Sequence, residues 1–201
     1  TVSCASVQGH SIARSRGWSN RGSLPRSRSA GRAPTTNAAG CSTGEEAYSI
    51  AMLFLEEIAA AKRNVTLQIF ATDVDEEAVA FAREGLYPEV IEADVPEERL
   101  ARFFTREDHG YHASHDLRAA IVFSVHDLLS DAPFSRLDLI SCHNVLIYLR
   151  PEVQERVLSL FHFALRQGGV LFLGSSESVG TANRDFEALF KQQRIYRHVV
   201  R

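Results

Sequence analysis

The chemistry this sequence can do gathers around two carboxylates, Glu46 and Asp73, and the small-residue loop ahead of the first. Ala39-Gly40-Cys41-Ser42-Thr43-Gly44 runs directly into a helix that begins Glu45-Glu46-Ala47-Tyr48. Gly40 and Gly44 permit backbone angles that side chains with a Cβ avoid, so a ligand can approach the main chain closely. The helix start offers free N–H groups and a positive dipole end. Two acidic residues in the first turn suit that dipole and make the place poor for phosphate and good for an ammonium group. Ile50, Ala51, Phe54, Leu55 and Ile58 recur at three- and four-residue spacing and mark the buried face. Glu46 lies on the inward side with them, whereas Glu45 shares its side with Ser49 and Met52, so Glu46 is the ligand candidate. The competing reading makes both glutamates helix-start charges only.

Asp73 ends the β-rich run from Val65 to Thr72. An acidic residue at the carboxyl end of a second strand, about thirty residues beyond a glycine loop, is where doubly wound folds hold ribose hydroxyls, because a carboxylate accepts both protons. Asp75 reads instead as the N-cap of the next helix, with Glu76 and Glu77 in its first turn. The loop lacks the GxGxxG pattern, which disfavours a nicotinamide or flavin cofactor.

The elements that must position these residues alternate. A helix over about 75–84 stops at Gly85, a C-cap. The stretch 89–117 breaks the alternation and reads as an insertion, with a short helix over about 96–104 and a polar turn at Glu107-Asp108-His109-Gly110. His109, His112 and His115 have metal-like spacing. A hairpin would not bring them to one face, so no metal is expected. Strands follow at 120–125 and 137–141, each ending in polar residues: Asp127-Leu128 after the first, Cys142-His143-Asn144 after the second. An amphipathic helix over 151–165 is stopped by Gln167-Gly168-Gly169. A buried strand at 170–173, a helix near 185–190 and a strand near 195–200 complete the chain. Such alternation predicts an α/β fold with a mainly parallel sheet and helices on both faces, its ligand beyond the carboxyl ends of the strands. Gly44–Glu46, Asp73, Asp127–Leu128 and Cys142–Asn144 all fall at that edge.

The 201 residues are 45% hydrophobic, enough for one domain with a core, and a net charge of −3 gives no general pull toward nucleic acid or an anionic membrane. No apolar run approaches the roughly 20 residues needed to span a bilayer. Cys4, Cys41 and Cys142 are odd in number and far apart, which favours a reducing, cytoplasmic setting over a disulfide framework. Residues 1–38 differ from the rest. Six arginines stand there (Arg14, Arg16, Arg21, Arg26, Arg28, Arg32) with no acidic residue and abundant Ser and Gly. The expectation is a disordered leader, with the domain proper over 39–201. It lacks a signal peptide's apolar region. Trp18 alone does not make a nucleic-acid arm. The abrupt break in composition suggests a segment foreign to the domain, such as a misread frame.

Taken together, these stretches resemble the CheR family of chemotaxis methyltransferases, which use S-adenosyl-L-methionine to methylate glutamate side chains of chemoreceptors. The matching pieces are Gly40–Ala51, Ala71–Asp75, Ala82–Tyr87, Asp138–Tyr148 and Gly168–Glu177. Leu86-Tyr87-Pro88-Glu89-Val90-Ile91 is similar to the branch fused to a methylesterase and sensory domains. The resemblance implies the seven-stranded, Rossmann-like sheet of class I methyltransferases, with a small β subdomain in the insertion. It implies that Glu46 meets the cofactor's amino-acid end and Asp73 its ribose. Asp127 and Leu128 would line the adenine, Cys142, His143 and Asn144 the loop under the cofactor, and Tyr148 would stand near the reaction centre. The implied partner is the cytoplasmic part of a chemoreceptor, with the chain a monomer. The family's N-terminal helical domain and its Asn-x-Thr-x-Phe-Phe-Arg motif have no counterpart in these residues. His143 stands where the family usually has Arg. Three readings follow: a protein-glutamate O-methyltransferase, a non-catalytic remnant that binds cofactor or receptor partner, and an S-adenosylmethionine enzyme of other specificity.

Overall fold

The strand that leads into the glycine loop is polar, yet it lies at the centre of the sheet. The computed structural model describes residues 33–180 and 184–200. In it Thr35–Ala39 forms β1, with Thr36, Asn37, Ala38 and Ala39 all buried. β1 pairs in parallel with β2 (Gln68–Asp73) on one side and β7 (Leu137–Cys142) on the other. The expected domain start at residue 39 is therefore too late. Pro34 falls just outside the strand, where its carbonyl accepts the Gln68 N–H at 3.3 Å, and so breaks no ladder. Buried Asn37 donates to the Phe70 carbonyl (2.9 Å) and Thr72 Oγ1 (3.2 Å), and the Thr35 N–H donates to Asp138 Oδ2 (2.9 Å). Those bonds let polar residues occupy a central strand. Of the leader expected over residues 1–38, residues 35–38 belong to β1 and residues 1–32 lie outside the described residues.

Helix α1 (Glu45–Ala60) follows the loop, and α2 (Glu76–Glu84) follows β2. Asp75 caps α2 as expected, accepting from the Glu77 and Ala78 N–H groups, and Gly85 ends it in the left-handed conformation. The insertion begins at Leu86. It is a three-stranded sheet of β3 (Leu86–Tyr87), β4 (Phe104–Glu107) and β5 (Gly110–Ala113), in order β3-β5-β4, with α3 (Glu97–Phe103) between β3 and β4. His109 sits in the β4–β5 turn, while His112 Nδ1 lies 3.0 Å from Glu107 and its Nε2 3.0 Å from the Glu84 carbonyl. Among the described residues no group of three or more His, Cys, Asp or Glu is placed to hold a metal.

The chain returns to the large sheet through α4 (His115–Ala119), β6 (Ile121–Val125), β7, α5 (Pro151–Ala164), β8 (Leu165–Leu173), β9 (Phe186–Phe190) and β10 (Ile195–His198). The sheet order is β6-β2-β1-β7-β8-β10-β9, parallel throughout except for β10, which runs antiparallel to β8 and β9. Two expectations fail near the C-terminus. Gln167-Gly168-Gly169 does not stop α5; Leu165 does, by turning extended, and the glycines fall where the β7–β8 register shifts between Leu137 and Leu139. Residues 186–190 are a strand, not a helix. Phe186, Leu189 and Phe190 have helical spacing, but pairing with β10 decides the outcome. Two apolar cores result, one around α1, α2, β2 and β6, the other around β7, β8, α5 and β10. Among the described residues, no helix is long and apolar enough to cross a membrane.

Candidate active site

The loop after β1 is held from below by β2. The Gly40 and Cys41 N–H groups both donate to the Thr72 carbonyl, at 2.7 and 2.9 Å, and the Ser42 N–H donates to Asp73 Oδ2 at 2.7 Å. Asp73 Oδ1 accepts the Asp75 N–H at 3.1 Å. Each carboxylate oxygen keeps a second lone pair, so Asp73 fastens the loop and can still receive hydroxyl protons. Gly40 (φ +72°) is needed because a Cβ there would lie 2.2 Å from Val145 Cγ2, in the loop after β7. On the other flank the Tyr87 hydroxyl donates to the Thr43 carbonyl at 2.7 Å, which ties the small sheet to the same loop.

Glu46 reaches inward from the first turn of α1. Its Oε1 accepts the hydroxyl of Ser141, the penultimate residue of β7, at 2.5 Å, and its Oε2 lies 3.4 Å from His143 Nδ1. Burial pushes the Glu46 carboxyl up to about 7; the Ser141 hydroxyl works against that rise and the Glu177 charge adds to it. Burial lowers His143 to about 4, so its imidazole is uncharged at neutral pH. The ring stands edge-on to Phe172, and its Nε2 is buried with no hydrogen-bond partner among the described residues. Glu46 is thus a part-buried carboxyl beside a neutral imidazole, and among the described residues no lysine or arginine pairs with it.

The other expected residues fall as follows. The His126 N–H donates to the Asp73 carbonyl at 2.9 Å and brings the end of β6 to the rim. Asp127 accepts from the Leu129 N–H and the Ser130 hydroxyl, and these bonds hold its carboxyl below the usual range. Leu128 is half-buried against the second core. Asn144 takes φ +57° and is exposed at the turn after β7, a conformation Asn tolerates. The Cys142 side chain, by contrast, is fully buried in the second core, and burial raises its thiol well above the ordinary value. Its backbone reaches the rim, but its sulfur faces the core. Tyr148 ends a 3-10 turn and is 79% exposed.

Sequence reasoning assigned no role to Ser141 or Glu177. Glu177 is buried, and its Oε1 accepts the Val145 and Leu146 N–H groups (2.9 and 2.7 Å) while Oε2 accepts the Gly174 N–H (2.7 Å). The Glu177 N–H in turn donates to the Gly174 carbonyl at 2.9 Å. The sequence carries no capping-box signal for it, because the residue three before Glu177 is Gly174, not Ser or Thr. Ser141 left no signal in its own neighbourhood.

A sheet of this order, with its polar loops gathered at the carboxyl ends of β1, β2, β6 and β7, defines a class I methyltransferase dependent on S-adenosylmethionine. The site suits that cofactor on its own geometry, because a part-buried carboxyl that no described lysine or arginine pairs with is complementary to an amino-acid ammonium. The CheR methyltransferase SAM-binding domain matches residues 25–195, and the chain belongs to that family. An uncharacterised 104.1 kDa protein of Rhodobacter capsulatus is 49% identical over 158 residues, 79% of this chain and 17% of its own length. A putative methyltransferase of Pseudomonas putida, Cher3, is 40% identical over 169 residues, 79% of this chain and 60% of its own. The chain thus spans less than two thirds of either relative. A TehB-like SAM-dependent methyltransferase structure from Corynebacterium glutamicum is 17% identical, covers 84% of this chain and 80% of its own, and has a TM-score of 0.47.

Proposed function

We propose that this chain is the catalytic domain of a protein-glutamate O-methyltransferase that modifies the cytoplasmic part of chemoreceptors. Membership of the CheR family supports the reading. So do relatives such as the chemotaxis protein methyltransferase of Borreliella burgdorferi, 31% identical over 153 residues, 74% of this chain and 54% of its own length. The observation that carries it is the Glu46 carboxylate, fixed by Ser141 and flanked by a neutral His143, on the same rim as Asp73. In this reading Glu46 takes the cofactor's ammonium, Asp73 its ribose hydroxyls, and Asp127 with Leu128 the adenine. His143, Asn144 and the backbone at Cys142 form the floor. Tyr148 stands on the outer lip, where an incoming protein side chain passes it.

S-adenosylmethionine supplies an electrophilic methyl when bound. A substrate glutamate, with a reference pKa of about 4.3, is already ionised at neutral pH, so the chain need not provide a general base. Its task is placement: aligning carboxylate and methyl can supply up to about 7–11 kcal/mol of the barrier. The products are a glutamate methyl ester and S-adenosylhomocysteine. We place the domain in the cytoplasm, supported by the free, buried thiols of Cys41 and Cys142, and within a longer polypeptide, as the 104.1 kDa relative suggests. A second reading, binding without transfer, is favoured by the uncharged His143 where the family usually has Arg.

Two measurements test this. Calorimetric titration with S-adenosylhomocysteine should show one site. Transfer of radiolabelled methyl to a receptor fragment should give label that is released by base, as an ester requires. Binding without transfer selects the second reading, and absence of binding removes both.

A further inference from the structure

Glu177 differs from the other acidic residues of the rim in what it holds. Asp73 accepts from a loop and a turn that follow β1 and β2, whereas Glu177 spans two strands. Its Oε1 takes consecutive N–H groups, Val145 and Leu146, of the loop after β7, and its Oε2 takes the Gly174 N–H just beyond β8. All three donors are main-chain groups without another partner in a helix or ladder, and the carboxylate is only 3% exposed. Charge-assisted bonds of this kind are among the strong ones in a low-dielectric site. Gly174 is part of the device: a Cβ there would lie 2.6 Å from Glu177 Oε2 and 3.3 Å from the Asn144 nitrogen. Two residues before the held amides stands His143, 3.4 Å from Glu46, and one residue before them stands Asn144. Val145 itself closes against Gly40.

We propose that Glu177 is a positioning residue for methyl transfer. By clamping Val145, Leu146 and Gly174 it fixes the loop after β7 against Glu46, and so sets the half of the site that receives the cofactor's amino-acid end. The inference rests on the assignment of Glu46 to that end. Asp73 and Asp127, which would serve the nucleoside end, are held by other donors and do not depend on the clamp.

That division gives a test. Wild type, Glu177→Gln and Gly174→Ala are titrated with S-adenosylhomocysteine and with 5′-methylthioadenosine, which keeps the nucleoside and lacks the amino-acid end. Melting temperatures are measured beside each. Gln has one carbonyl oxygen, so it can serve the Val145–Leu146 pair or Gly174 but not both, and its NH2 then opposes a donor. Gly174→Ala leaves the charge in place and displaces it. Both variants should lose about tenfold or more in affinity for S-adenosylhomocysteine, the scale of one charge-assisted bond, and keep their affinity for 5′-methylthioadenosine. Equal loss for both ligands, loss that only tracks unfolding, or no loss overturns the proposal. Hydrogen exchange at the Val145, Leu146 and Gly174 amides separates the two possible failures. If wild type binds neither ligand but these amides lose protection in Glu177→Gln, the cofactor assignment has failed and the clamp stands as structure only. If protection is unchanged, there is no clamp.

Discussion

Cofactor binding by this site should release a proton, and Glu46 should be its source. Burial and the nearby Glu177 charge put the Glu46 carboxyl at about 7 in the free protein. At pH 7 about half of the molecules therefore carry a proton there. An ammonium placed against the carboxylate favours the ionised form, so its pKa falls on binding and the proton leaves. The ionised fraction drops from about nine-tenths at pH 8 to about one-tenth at pH 6, so affinity for S-adenosylhomocysteine should fall about tenfold across that interval, or about 1.4 kcal/mol. Two neighbours of Glu46 and the glycine loop lie outside that window. His143 is held at about 4 by burial, and Cys41 is pushed up to about 12 by burial and the Asp73 charge.

The assay is calorimetry at pH 6, 7 and 8 in pairs of buffers with different ionisation heats. Wild type should release about half a proton at pH 7 and less at pH 8. Glu46→Gln keeps an acceptor for the Ser141 hydroxyl but has no proton to lose. It should bind more weakly, by about 1.5–3 kcal/mol for a lost charged bond, with an affinity flat in pH. A wild-type affinity that is itself flat from pH 6 to 8, with no proton released, would refute the reasoning and remove Glu46 from the amino-acid end.

Three further outcomes follow. Asp73→Ala should abolish cofactor binding in the same titration and lower stability as well, by about 1–3 kcal/mol, because it strands the Ser42 and Asp75 N–H groups; Asp75→Ala should cost only about 1 kcal/mol as a lost cap and leave affinity intact. Without ligand, Glu46 (folded value raised) contributes stability that is lost as pH rises from 4.5 to about 7, and His143 (folded value lowered) contributes stability that is lost as pH falls from 6.5 to about 4, so the two slopes oppose. Urea melts at pH 5 and 6.5 should therefore show Glu46→Gln gaining stability with pH and His143→Gln losing it. Gly40→Ala should lower the melting temperature through its contact with Val145 and its φ of +72°, by about 1–3 kcal/mol in chemical denaturation.

Much of this architecture was legible because local and tertiary signals agreed. The glycine loop, the inward Glu46, the Asp75 cap and the Gly85 stop each had a local cause, and the packed fold had no reason to override it. Disagreement came where pairing outweighed pattern. Thr35–Ala39 is too polar to announce a central strand; pairing with β2 and β7 makes it one, and bonds to Phe70, Thr72 and Asp138, all distant in sequence, satisfy its polar groups. Phe186–Phe190 has helical spacing and becomes a strand because β10 offers it an edge. Ser141 and Cys142 are adjacent on β7, so alternation sends one side chain to the rim and the other to the core. Ser141, one position before the cysteine chosen for its place in the motif, is therefore the residue whose side chain meets Glu46.

In the proposed reading the cofactor's ammonium goes to Glu46, because the other carboxylates of the rim are already engaged. Asp73 spends an acceptor on the Ser42 N–H and another on Asp75, Asp127 on Leu129 and Ser130, and Glu177 on three backbone amides. Each of these charges is stabilised by main-chain donors and builds the pocket. Glu46 receives one hydroxyl and stands beside a neutral imidazole, and burial pushes its carboxyl up to about 7. A charge left under-compensated in a low-dielectric site costs free energy until a cation arrives. In the proposed reading a ligand ammonium supplies that cation and recovers the cost. His143→Arg would supply a cation in advance. It should hold Glu46 ionised and flatten the pH dependence of binding.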